Sequence, residues 1–103
     1  MTETFIERHF ELGEAAKVVA RFFRPFRGDL DFCCAYEIIW PDRTRSFQAY
    51  GIDEVQALTL ALMMVHAELL CSPEAKRGEL RWLGSGDLGL PSALPPSDPS
   101  IQS

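Results

Sequence analysis

Glu7, His9, Glu11 and Glu37 have the side chains that proton transfer needs: carboxylates and an imidazole, which exchange protons within hydrogen-bond reach. Glu7, His9 and Glu11 alternate within TFIERHFEL, so a strand there presents them on one side. Glu37 joins them only if its own strand lies alongside. In an up-and-down sheet it does not, and the group reads as a hydrated sheet face. His66 has no histidine four residues away, and no C-x-x-C pair occurs, so a structural metal is not expected. Cys33 and Cys34 are adjacent and point to opposite faces of a strand. GSGDLG, residues 84–89, leads into prolines rather than into a helix whose N-terminus would hold a phosphate. No catalytic residue, metal ligand or cofactor-binding residue is expected. The sequence reads as a non-enzyme.

Lys17, Arg21, Arg24 and Arg27 fall in a run without acidic residues. They are either an anion-binding patch or the charges that guard a strand against unwanted pairing. The whole chain carries 15 acidic residues against 10 Lys and Arg, a net charge of −5. That balance argues against a general nucleic-acid binder or an acidic-membrane binder, both of which need excess basic charge. Residues 1–7 carry acids where a secretory signal carries bases. The apolar run from Ala57 to Val65 is too short to span a bilayer. Three cysteines make a poor disulfide framework, so the expected compartment is the cytoplasm.

Four strands are needed to position these groups. TFIERHFEL and AKVVARFF are separated by Gly13-Glu14, and the second stops near Pro25, which cannot donate to a ladder. FCCAYEIIW follows, with Phe32, Cys34, Tyr36, Ile38 and Trp40 on one apolar face, ending at Pro41-Asp42. RSFQAY closes at Gly51. Short links between consecutive strands predict an antiparallel meander.

GIDEVQALTLALMMVHAELL then begins a long helix, with Asp53 as N-cap and Gln56 at the capping-box position. Two apolar stripes run along it. Val55, Leu58, Leu62, Val65 and Leu69 form a seam expected to pack on the sheet, with Leu62→Ala costing roughly 2–5 kcal/mol. Ala57, Leu60, Met64, Ala67 and Cys71 form the second stripe, a candidate interface. Its cover is either the segment from Trp82 to Leu90 or the same helix of a second copy. ELRWL supplies a short last strand. The expected architecture is α+β, a four-stranded antiparallel β-meander packed on one long α-helix, with a short C-terminal strand. Residues 1–91 make one domain, and residues 92–103 a flexible tail rich in Pro and Ser.

Trp40-Pro41, Gly51-Ile52-Asp53 with Gln56-Ala57-Leu58, and Leu80-Arg81-Trp82 resemble a family of small bacterial proteins of unknown function. Its members share a W-P turn, a G-x-D-x-x-Q-A-L helix start and an L-x-W segment. Those motifs cap and pack, so the resemblance implies a fold and no activity. Pro41-Asp42, Gly51 and Asp53-Glu54 also show a weaker similarity to HicB-type antitoxins over about residues 30 to 70. The expected function is a non-catalytic protein-interaction module that self-associates as a homodimer or binds another protein. The alternative is an antitoxin or immunity-type protein that neutralises a basic toxin.

Overall fold

The computed structural model describes residues 3–92 of the 103-residue chain. The tail expected over residues 92–103 therefore lies, from residue 93 on, outside the described residues.

The architecture is α+β, one antiparallel sheet with one main helix. Its strands are β1 (Thr4–Leu12), β2 (Ala16–Phe23), β3 (Phe26–Arg27), β4 (Phe32–Ile39), β5 (Thr44–Gly51) and β6 (Leu80–Arg81). Helix α1 (Glu54–Leu70) and the short α2 (Pro73–Lys76) lie between β5 and β6. The sheet has six strands, not the four that the sequence pattern predicts. Pro25 accounts for β3. It interrupts the ladder after Phe22, opposite Tyr36, and pairing resumes with Phe26 opposite Cys33, after one extra residue on the β2–β3 side. A proline breaks a strand by removing one donor, and here the chain stays extended and pairs again beyond it. β6 is the short C-terminal strand, paired with the end of β1. The four long strands lie side by side as β1-β2-β4-β5, a meander.

Residue parity assigns the faces. Phe10, Val18, Ala20, Phe22, Cys34, Tyr36, Ile38 and Trp40 are buried on the inner face. Glu7, His9, Arg21 and Glu37 lie on the outer one, opposite in parity. For β1 and β4 the sequence pattern separates the two faces, because side chains alternate along an unbulged ladder.

α1 covers the inner face. Asp53 caps it by accepting from the Gln56 amide at 2.8 Å, and the Gln56 side chain accepts from the Ile52 amide at 2.8 Å. Its buried line is Ala57, Ala61, Val65 and Leu69, not the expected seam through Val55, which is 73% exposed. Leu58 and Leu62 are only partly buried on one flank. The physical cause is the tight entry into the helix. A Cβ on Gly51 would stand 2.5 Å from the Ala57 amide nitrogen, so the end of β5 touches the first turn and turns Ala57 inward. Two alanines there let the helix backbone approach the sheet closely.

The segment after β6 completes the core. Leu88 is buried, and Trp82 and Leu90 pack against the core. Arg8, an inner-face residue of β1, holds this segment. Its guanidinium lies 3.8 Å from the centroid of the Trp82 ring and donates to the Leu88 and Gly89 carbonyls at 3.1 and 2.8 Å. His66 Nδ1 lies 3.1 Å from the Pro91 carbonyl oxygen, tying the same segment to α1.

Candidate interaction surface

On the outer face, the acid–base residues form a linear ion network instead of a cluster. β2 separates β1 from β4, so Glu7 and Glu37 are not direct neighbours. Arg21 stands between them, with Nε donating to Glu7 at 3.0 Å and Nη1 3.7 Å from Glu37. His9 Nε2 lies 3.0 Å from the other oxygen of Glu7. The hydrogen bond from Arg21 holds the Glu7 carboxyl below its ordinary range, with His9 adding to the effect. Glu11 is drawn elsewhere, accepting from the Gly84 amide at 3.0 Å. A carboxylate kept ionised by an arginine is a poor proton donor near neutrality.

The cationic run is threaded along β2 and β3. Lys17 faces Glu11 in register, Arg21 is engaged by two carboxylates, and Arg24 lies 3.6 Å from Glu3 and over the Phe5 ring. Arg27 lies over the Phe32 ring, at 5.7 Å from its centroid. Each of these cations thus faces a carboxylate or an aromatic ring. Beside the network, a shallow depression of about 470 Å³ is bordered by Phe23, Ala35, Glu37, Ser46 and Gln48. Gln48 is already occupied there, accepting from Cys33 Sγ at 3.3 Å and donating to Tyr50 at 2.6 Å. Among the described residues, no buried side-chain nitrogen or oxygen lacks a partner, and no three His, Cys, Asp or Glu side chains are grouped to hold a metal.

The second helical stripe has a definite place. Glu68 accepts from Arg45 of β5 at 2.7 Å, which fixes this flank of α1 above β5. Leu60, Met64, Ala67 and Cys71 share the flank by helical spacing. Ala57, the fifth residue of that stripe, is instead fully buried against the sheet. Leu60 and Met64 are partly buried, while Ala67 and Cys71 are exposed. The chain's own C-terminal segment covers the opposite flank. Leu62 and Leu90 line one small cavity there with Ile6 and Phe22, and His66 contacts Pro91.

β5 contributes one residue that sequence reasoning left out. Phe47 has the parity of buried Ala49 and Gly51, so it points to the helix side, yet it is 61% exposed. A phenylalanine one register step from buried positions was a visible signal. Its exposure follows from β5 being the outermost strand on that side of the described sheet.

No curated protein and no solved structure matches the chain. A family described as a domain of unknown function (DUF6968) matches residues 6–92. The chain belongs to that family. The DUF6968 domain thus begins inside β1 and reaches the segment held by Arg8, so the match takes in all of β2 to β6 and both helices. Among its described residues, no helix is long and apolar enough to cross a membrane.

Proposed function

We propose that this DUF6968 domain is a non-catalytic protein-interaction module that self-associates, using the flank of α1 above β5. The observation that carries this reading is Phe47, a large apolar side chain exposed on the helix side of the sheet's outer strand. Beside it runs the stripe of Leu60, Met64, Ala67 and Cys71. An exposed aromatic beside Met and Leu is the composition that an interface core uses. Ala67→Glu tests it, because Ala67 is exposed and its replacement leaves the monomer's core intact. Sedimentation should show the parent at twice the chain mass and the variant at the chain mass. Equal masses for the two would count against the reading.

The net charge of −5 and the weaker similarity to HicB-type antitoxins support a second reading, an immunity-type protein that binds a basic toxin. A pull-down that returns a small basic protein, and not a second copy, favours it.

A further inference from the structure

We propose that two copies of the chain join their β5 strands edge to edge, antiparallel, about a twofold axis at Phe47, making one continuous sheet. This rests on the self-association reading above and specifies its geometry.

β4 holds one side of β5 along its whole length, and β2 and β3 fill the other side of β4. Among the described residues no strand pairs with the outer side of β5. The phase of the ladder says what that edge offers. The Trp40 amide donates to the Arg43 carbonyl at 2.7 Å across the Pro41-Asp42 turn, a hydrogen-bonded pair. Such pairs alternate along an antiparallel ladder. Arg45, Phe47 and Ala49 therefore aim their backbone groups at β4. Thr44, Ser46, Gln48 and Tyr50 aim theirs outward.

Exposed edges are normally protected by shortness, bulges, prolines or lysines. β5 has eight residues in unbroken register and neither proline nor lysine. Its one charge, Arg45, is held by the chain's own Glu68. At the sheet's other end β6 pairs only with Glu11 and Leu12 of β1, and the rest of that edge is bulged between Thr4 and Ile6 and engaged through Arg8 by the segment after β6.

A twofold axis normal to a sheet pairs residues of the same face, so it passes at a residue and never between two. With the axis at Phe47, Thr44 faces Tyr50 of the partner subunit and Ser46 faces Gln48 of the partner subunit. All four outward-facing residues then pair. With the axis at Gln48, Thr44 loses its partner. The Phe47 register also sets Arg45 against Ala49 of the partner subunit, so like charges do not meet. It brings the two exposed phenylalanine rings together between the two α1 flanks.

Phe47→Cys in a Cys71→Ser background tests the register. Opposed residues of a non-hydrogen-bonded pair have Cα atoms about 4.5 Å apart, within the span of a disulfide. Mild oxidation should yield a covalent dimer on a non-reducing gel, and Ser46→Cys in the same background should not. Phe47→Lys, which alters an exposed side chain and sets two ammonium groups on the axis, should weaken self-association at least about tenfold by sedimentation. A dimer indifferent to Phe47→Lys and without the crosslink would overturn the β5 pairing and leave self-association through another face standing. A parent chain that sediments as a monomer throughout the micromolar range would overturn both.

Discussion

Glu68, in the last turns of α1 beside Ala67, accepts from Arg45 of the outer strand at 2.7 Å, and this pair decides which flank of α1 overhangs β5. The Arg45 side chain is 62% exposed and Glu68 25%, so water screens much of their attraction. Glu68→Gln should therefore change the unfolding free energy by less than about 1 kcal/mol in urea. Its larger effect should fall on self-association, because Arg45 is left uncompensated beside the edge. The contribution of the pair is orientation more than stability. A loss of several kcal/mol would contradict that.

Arg8 is the anchor of the C-terminal segment, through one stacked ring and two carbonyls. Arg8→Lys keeps the charge and loses both the planar stack and the Nη1 group that donates to the two carbonyls. Amide exchange over residues 86–90 should accelerate about tenfold, with the β4 amides unchanged. Gly89→Ala should do the same by another route. Gly89 has φ of +70°, and a Cβ there would stand 2.2 Å from Trp82 Cζ3. If both variants exchange like the parent, the segment is held by Leu88 alone.

Much of this was legible in the sequence, for reasons that differ by element. The long strands were readable because TFIERHFEL and FCCAYEII alternate and end at turn residues, which is local information. Asp53 was readable as the cap because capping is local too. The inward line of α1 was not. Two apolar stripes share the helix, so periodicity does not choose between them, and the close approach of Gly51 does. For the candidate surface, spacing groups Leu60, Met64, Ala67 and Cys71 on one flank, but it also includes Ala57, which is buried against the sheet. Phe47 was missed because the exposure of a strand residue depends on which strand ends up outermost, a property of the whole sheet.

The helical assignment is testable by comparing two leucines. Leu69 is fully buried, whereas Leu62 is partly exposed beside Leu90. Leu69→Ala should cost about 2–5 kcal/mol, the range for a buried leucine replaced by a cavity. Leu62→Ala should cost roughly 1–2 kcal/mol, since part of its apolar area already meets water. Equal losses in chemical denaturation, or a larger loss at Leu62, would restore the seam that the sequence alone suggests.

A second ion pair ties the β4–β5 turn to α2 and makes a prediction about acid. Arg43 lies 4.1 Å from the centroid of the Trp40 ring and makes two hydrogen bonds to Glu74, at 3.1 and 3.2 Å. That fork holds the Glu74 carboxyl below its ordinary range. A carboxyl whose folded pKa is depressed stabilises the fold above its unfolded pKa, about 4.3, and loses that contribution as pH falls through the folded value. Thermal stability should thus decline below about pH 4.3 in the parent and decline less in Glu74→Gln. Arg43→Lys, which cannot make the fork, should flatten the acid limb in the same way.

The three thiols should behave as two classes. Cys71 is exposed and free, while Cys33 and Cys34 are buried. Burial pushes the Cys34 thiol up to about 11, with the neighbouring Cys33 adding to the shift, and burial raises Cys33 as well. A thiol reacts as its thiolate, so at pH 8 a disulfide reagent should modify Cys71 quickly and the other two only on unfolding. The same shift has a consequence at high pH. The folded Cys34 keeps its proton between the unfolded pKa, about 8.5, and about 11, so stability is present below the lower value and falls as pH rises to the upper. Cys34→Ala should lessen that alkaline decline, to which Cys33 and Tyr36 also contribute, at the expense of a small cavity. If the native protein shows two fast thiols at pH 8, β4 opens far more readily than its burial between β2 and β5 implies.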